Sequence, residues 1–252
     1  MKLADKVAIV TGGGGAIGRA IALKLAAAGA DIAVVDANAE TAEQVAAEVR
    51  RLGRRGLAQT MDIRSYEAVT AGVNAIAETC GRLDIVVNSA GGSARSRMGR
   101  FESLDIEVFD WILDVNLRGP MYIIRAALPH LIQRNAGKIV NIASIVALGG
   151  KAGCVDYSAA KGGLLAASKS LAIEVGRYNI NVNCVSPGLV QRPGQIPADE
   201  AAFAKRHSYL NRICTQDDIA EAVLCLASPE SDFITGQNVV VDGGRSLGLR
   251  GD

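Results

Sequence analysis

Short apolar runs recur along the chain, each followed by a longer stretch in which apolar residues return every three or four positions. The runs VAIV (7–10), IAVV (32–35), DIVVN (84–88) and KIVNI (138–142) are almost unbroken, as expected of parallel strands covered on both faces. The pattern predicts strands near 6–11, 31–36, 56–61, 84–88, 137–142, 180–185 and 237–241. Helices are predicted near 17–28, 40–52, 66–80, 104–134, 155–177 and 216–227. Strand and helix alternate from end to end, so the expected fold is α/β. It is a doubly wound, mostly parallel seven-stranded sheet with helices on both faces and right-handed crossovers. No stretch reads as a linker or repeat, which predicts a single domain over residues 1–252. The longest irregular region, about 186–213, holds SPGLVQRPGQIP, and so long a loop in a compact domain is usually functional or mobile.

With 252 residues, 49% of them hydrophobic, one core can bury most of the apolar side chains. The 27 basic and 26 acidic residues leave a net charge of +1, which offers no footprint for nucleic acid or an anionic membrane. No apolar run approaches the roughly 18 residues that span a bilayer. The start, MKLADKVAIV, lacks the regions of a signal peptide, so a cytoplasmic protein is expected. The five cysteines are widely spaced and form no C-x-x-C, which argues against a disulfide framework and against a metal site.

The stretch VAIVTGGGGAIGRAIAL, residues 7–23, begins as a strand and ends as a helix with four glycines at the joint. It fits two spacings: Gly13, Gly15 and Gly18 make G-x-G-x-x-G, while Thr11, Gly12, Ala16 and Gly18 make a looser T-G-x-x-x-[GA]-x-G. Missing Cβ atoms at such a turn let a pyrophosphate touch the backbone, and the helix N-terminus offers unpaired N–H groups. A tight turn without a ligand explains the glycines alone equally well. Asp36 shifts the balance. It ends the second strand, 18 residues past Gly18, where a carboxylate can accept hydrogen bonds from both hydroxyls of an adenosine ribose. The same carboxylate repels a 2′-phosphate, and Gly15 and Ala37 occupy two places where an arginine would serve NADP. NAD is therefore the expected cofactor, with NADP disfavoured.

YSAAK puts Tyr157 and Lys161 four apart on a predicted helix, hence on one face. A nearby ammonium favours phenolate and draws a tyrosine toward general acid/base work, although such a pair alone is more often a solvated helix face. Ser144 ends the strand KIVNIAS, 13 residues upstream, at the sheet edge where ligands bind. NSAG (88–91) sets small residues at the same edge. Asn116 lies inside FDWILDVNLRGP, where an amide is a poor helix former without a reason.

Taken together, these residues resemble the short-chain dehydrogenase/reductase family from about Asp5 to Gly244. The aligned motifs include MDI (61–63), NSAG, YSAAK, SPG (186–188) and ITGQNVVVDGG (234–244), and the glycines are read in the Thr11/Gly12/Ala16/Gly18 frame. The resemblance implies a Rossmann-type fold with a cofactor half near 1–150 and a catalytic and lid half near 137–252. It also implies a catalytic tetrad. Tyr157 would exchange a proton with the substrate oxygen as hydride passes to or from the nicotinamide. Lys161 would lower the tyrosine pKa and bind the nicotinamide ribose. Ser144 would hydrogen-bond the reacting oxygen, and Asn116 would hold a water in a proton relay to Lys161. The implied cofactor contacts are Gly12, Gly14, Gly15, Ile17, Gly18 and Asp36, then Asp62 and Ile63 at the adenine, then Asn88, Ala90 and Gly91, and finally Tyr157, Lys161, Pro187, Gly188 and Val190. Three departures stand out. Ala16 replaces a commoner glycine, Ser89 replaces the second asparagine of N-N-A-G, and Arg192 replaces a threonine that often binds the carboxamide.

By the same resemblance the substrate pocket would draw on Ser93, Arg95, Ser144, Val146, Cys154 and Arg192, with Gly92, Leu189 and a lid over 191–211. Arg95, Arg97, Arg192 and Arg206 lie in these segments, so a polar substrate such as a sugar, polyol or sugar acid is expected, its anionic group held by one or two arginines. They read equally well as solvated surface charges. One alternative is an NADPH-dependent 3-oxoacyl carrier-protein reductase, although SLAIEV places Ile173 where such enzymes carry a docking arginine; Arg134 offers a basic partner elsewhere. The other is a dinucleotide-binding regulator without catalysis. The long helices imply pairing across subunits, hence a homotetramer. Of the two histidines, His130 reads as structural and His207, in the lid, as a residue that could touch substrate.

Overall fold

A computed structural model describes residues 1–94, 97–191 and 198–247. Seven strands, β1 (Val7–Thr11), β2 (Asp31–Asp36), β3 (Gly56–Thr60), β4 (Ile85–Asn88), β5 (Gly137–Ile142), β6 (Ile180–Pro187) and β7 (Asn238–Val241), form one sheet in the order β3-β2-β1-β4-β5-β6-β7. Every pairing is parallel. The strand order reverses direction between β1 and β4, where Thr11 pairs with Asn88, and a crevice opens at the strand ends at such a point.

The two-residue period of the strands divides the core. Ala8 and Val10 face α1 (Ala16–Ala27), α2 (Ala39–Arg51) and α9 (Gln216–Ala227), whereas Ile9 faces α3 (Tyr66–Cys80), α5 (Gly119–Arg134) and α7 (Val155–Val175). Both faces are covered, which is why the strands read as unbroken apolar runs. Side-chain caps start several helices: Asn38 accepts from Glu40 and Thr41 N–H, Ser65 from Ala68 N–H, and Thr215 with Asp218 forms a capping box. By contrast, α1 starts at Gly15 with no side-chain cap, so its first N–H groups point outward unclaimed by a neighbouring side chain. No helix among the described residues is long and apolar enough to cross a membrane.

Two expectations are corrected. The helix expected over 104–134 is divided into α4 (Ile106–Leu113), a π-helical turn at Asp114–Arg118 and α5. Within the region read as irregular, α8 (Glu200–His207) forms where Asp199 caps Ala202 N–H. A second short helix, α6 (Val146–Gly149), follows Ser144. Both are too brief for hydrophobic periodicity to reveal.

Asp84 ties the opposite edge of the sheet. Its buried carboxylate accepts from Val7 N–H at 2.9 Å and from two nitrogens of Arg82 at 2.8 and 2.7 Å, with Arg134 at 3.3 Å. Burial opposes its charge, but the Arg82 and Val7 hydrogen bonds and the Arg82 and Arg134 charges outweigh that, and the carboxyl titrates below its usual range. A depressed carboxyl stabilises the fold at pH above its unfolded value, about 3.9, and that contribution disappears as pH falls through the folded value. Asp84→Asn leaves two arginines facing a neutral group and is expected to lower unfolding free energy by about 3 kcal/mol at neutral pH. Urea midpoints measured at neutral and acid pH check this, the difference from the parent shrinking in acid.

Candidate active site

The glycine loop is shaped by close approach. Gly12 has φ of +62°, and a Cβ there would lie 2.7 Å from the Cα of Ala90. Thr11 completes the junction, its Oγ1 accepting from Ser89 and Ala90 N–H, both at 3.1 Å. The loop after β1 is thereby fastened to the NSAG segment after β4. Asp36, at the end of β2, accepts from Gly14 N–H and from Asn38 N–H, both at 3.0 Å. At the next strand end Asp62 is clamped by Arg64, with contacts of 2.7 to 3.1 Å. The hydrogen bonds from Arg64 hold the Asp62 carboxyl below its ordinary range despite some desolvation.

At the other end of the crevice, Lys161 on α7 is buried and its Nζ donates to the carbonyl of Ile142 at 2.8 Å. Burial pushes its pKa down to about 8. Its Nζ lies 5.8 Å from the ring centroid of Tyr157, one turn earlier on the helix. Ser144 is nearly buried after β5, and its Oγ accepts from Val146 N–H at 3.2 Å. Asn116 sits inside the π turn. Its Nδ2 donates to Ile112 and Gly92 carbonyls at 2.9 Å, and its Oδ1 accepts from Gly92 N–H at 3.1 Å. A π turn frees a carbonyl from the helical ladder and is common at functional sites; here the amide takes up that of Ile112. Asn116 and Lys161 converge on Gly91, where a Cβ would lie 2.6 Å from Asn116 Oδ1 and 3.2 Å from Lys161 Nζ.

A cavity of about 730 Å³ joins the two ends. Of the expected cofactor contacts, Gly12, Gly15, Ile17, Gly18, Asp36, Asp62 and Ile63 line one part of it. Ala90, Gly91, Tyr157, Pro187, Gly188 and Val190 line the rest, beside Ser93, Ser144, Val146 and Cys154 from the expected substrate set. Four expected residues stand behind the wall. Gly14 holds Asp36, and Lys161 and Asn116 lie beneath Gly91. Asn88, 1% exposed, gives its amide to Asn141 Oδ1 at 2.8 Å. Arg95 and Arg192 lie outside the described residues. Arg97 is engaged by Asp105 at 3.1 Å, and His207 is stacked on Phe203 with its Nδ1 at 2.8 Å from the Phe203 carbonyl, so neither lines the cavity. Met98, Trp111, Lys151, Gln191, Gln216 and Arg245 line the cavity without having been singled out. Of these only Lys151, between Ser144 and Tyr157, carried a signal in its position.

A family model described as enoyl-(acyl carrier protein) reductase matches residues 14–246. The chain belongs to the short-chain dehydrogenase/reductase family. This short-chain dehydrogenase/reductase is 37% identical to the (2S)-((R)-hydroxy(phenyl)methyl)succinyl-CoA dehydrogenase subunit BbsD of Thauera aromatica, covering 98% of this chain and 99% of that protein. It is 35% identical to the 2-dehydro-3-deoxy-D-gluconate 5-dehydrogenase of Escherichia coli, with 96% of each covered. Among solved structures it resembles carveol dehydrogenase from Mycobacterium avium in complex with NAD, at TM-score 0.92 and 30% identity, covering 98% of this chain and 99% of that one. As a short-chain dehydrogenase/reductase the chain falls among oxidoreductases that act on alcohols and ketones.

Proposed function

We propose that this protein is an NAD-dependent oxidoreductase that interconverts a secondary alcohol and its ketone, on a polar substrate such as a sugar, polyol or sugar acid. The observation that carries the reading is the pairing of Tyr157, on the cavity wall, with the buried ammonium of Lys161 behind it. The cavity suits a dinucleotide: uncapped N–H groups of α1 for a pyrophosphate, Asp36 for the adenosine ribose, and Ile63 beside the adenine. When bound, the nicotinamide accepts or supplies the hydride.

The chain's own residues handle the proton. In the oxidising direction Tyr157 Oη takes the proton of the substrate hydroxyl, and Ser144 Oγ donates a hydrogen bond to the same oxygen. Lys161 stabilises the phenolate by its charge and turns its remaining N–H groups toward the nicotinamide ribose. Asn116, held by Gly92 and Ile112, has the role of holding a relay water toward Lys161, a reading supported by the approach of both side chains to Gly91. We take the whole chain as one domain working as a homotetramer, a state that sedimentation at micromolar concentration reads directly. Ile106 and Ile173, 70% and 84% exposed on α4 and α7, supply apolar surface for it. The second reading is a 3-oxoacyl carrier-protein reductase: such an enzyme from Thermotoga maritima is 30% identical over 97% of this chain, although Arg134, the basic residue available to dock a carrier, lies against Asp84.

The test is reduction of NAD⁺ in the presence of secondary alcohols, polyols and hydroxy acids, followed at the nicotinamide absorbance band. Turnover with NAD⁺ exceeding that with NADP⁺ is expected. Binding of NADH without turnover of any member replaces this reading with the regulator.

A further inference from the structure

We infer that Lys151 and Arg245 form an anion-recognising rim at the substrate end of the cavity, and that the substrate carries an anionic oxygen group, a carboxylate or a phosphate ester. This rests on the proposed function, narrowing its substrates from neutral sugars and polyols to acids.

The argument is one of charge placement. Two carboxylates line the cavity among its described residues, Asp36 and Asp62, both at the adenosine end, and Asp62 is neutralised by Arg64. The cavity wall also carries Met98, Val146 and Leu189, which offer an anion nothing, and Trp111, whose indole N–H is one uncharged donor. Lys151 and Arg245 are the cations placed there among the described residues. Lys151 sits on the turn between α6 and α7, its carbonyl accepting from Cys154 N–H at 3.1 Å. Arg245 sits on the turn after β7, which packs against Gly188 on one side and receives Tyr209 N–H at the Gly243 carbonyl on the other. The two cations thus come from separate turns, one three residues before Cys154 and the other three residues after Asp242, which packs against Gly188.

Four other surface arginines are neutralised locally. Arg97 pairs with Asp105, Arg100 with Glu102, Arg118 with Asp114 and Arg212 with Asp218. Lys151 and Arg245 make no ion pair among the described residues. Even Asp242, three residues before Arg245, gives its oxygens to Gly244 and Ser246 N–H at 2.8 and 2.7 Å. Two cations left without carboxylates on the wall of one cavity draw an anion into a fixed orientation, and a guanidinium suits carboxylate and phosphate geometry alike.

The experiment uses NADH-loaded protein and pairs of ligands that differ in charge alone. Gluconate is compared with gluconamide, 3-hydroxybutyrate with 3-hydroxybutyramide, and glycerol 3-phosphate with glycerol, by the change in NADH fluorescence. At least one anion is expected to bind tenfold or more tightly than its neutral partner, the carboxylate and phosphate arms showing which group is preferred. In Lys151→Met and Arg245→Met that ratio is expected to fall at least fivefold each, and Lys151→Arg to restore most of it. Equal binding within every pair, absence of binding by every anion, or ratios untouched in both methionine variants overturns the inference. The readout needs no turnover. Selective anion binding in a protein that oxidises nothing leaves the rim standing and sinks the proposed reaction; turnover of neutral alcohols without any preference for acids does the reverse.

Discussion

Tyr157→Phe is expected to lower kcat by about 10³-fold with the best substrate, while NADH binding stays within about twofold of the parent. General acid/base catalysis by one positioned group is worth roughly 10² to 10⁴ in rate; Cys154 lines the same stretch of wall as Ser144, but it is only 3% exposed. Lys151 also lines the cavity, but from the turn after α6, and Lys161 lies behind Gly91 with its Nζ on the Ile142 carbonyl. The ring of Tyr157 packs on the small cluster of Val108, Ile112 and Ala160. Phenylalanine keeps that packing, so thermal unfolding should change little and the lost rate reports the hydroxyl. Stopped-flow or steady-state measurement of NADH formation decides the matter. A variant that retains more than a tenth of parental kcat removes Tyr157 from the proton transfer.

Asp36→Asn is expected to raise the KM for NAD⁺ by 10- to 100-fold and to lower that for NADP⁺ by about tenfold. A hydrogen bond to a charged group contributes about 1.5–3 kcal/mol, and the ribose offers two hydroxyls to this carboxylate. Asparagine retains an acceptor for Gly14 N–H, which separates loss of charge from collapse of the glycine loop. The gain with NADP⁺ is modest because no described cation is free to replace the repulsion with attraction. Arg64 lines the same end of the cavity, yet its guanidinium is bound to Asp62. Initial rates with both cofactors measure the switch. An unchanged NAD⁺ to NADP⁺ ratio shows that Asp36 does not read the ribose.

Much of the fold was legible because its signals are local. Strands β2 and β5 and helices α3 and α9 run where the apolar pattern put them, and the remaining strands shift by a residue or two at their ends. Ser65 and Thr215 mark their helix starts within four residues of chain, and a capped start needs nothing from elsewhere. The π turn was not legible. It accompanies the contact of Asn116 with Gly92, 24 residues away, and from sequence the amide alone could be marked as out of place in a helix. The site divides the same way. Gly12, Asp36 and the Tyr157–Lys161 spacing announced themselves within short motifs. Arg134 read as an available cation, but the fold lays it against Asp84; His207 read as a lid residue that could touch substrate, and it stacks on Phe203.

The sequence by itself determined where the seven strands and the longer helices run, apart from the break at Asp114–Arg118, and which turn is bare enough for a phosphate. Each of those outcomes is decided by side-chain period or backbone freedom over a few residues. Only the tertiary structure decided that Trp111, Lys151 and Arg245 share one cavity with Ser144 and Tyr157. The parallel order β3-β2-β1-β4-β5-β6-β7 brings the loops after distant strands to one edge. Packing of the whole sheet sets that convergence, and no short stretch of chain encodes it.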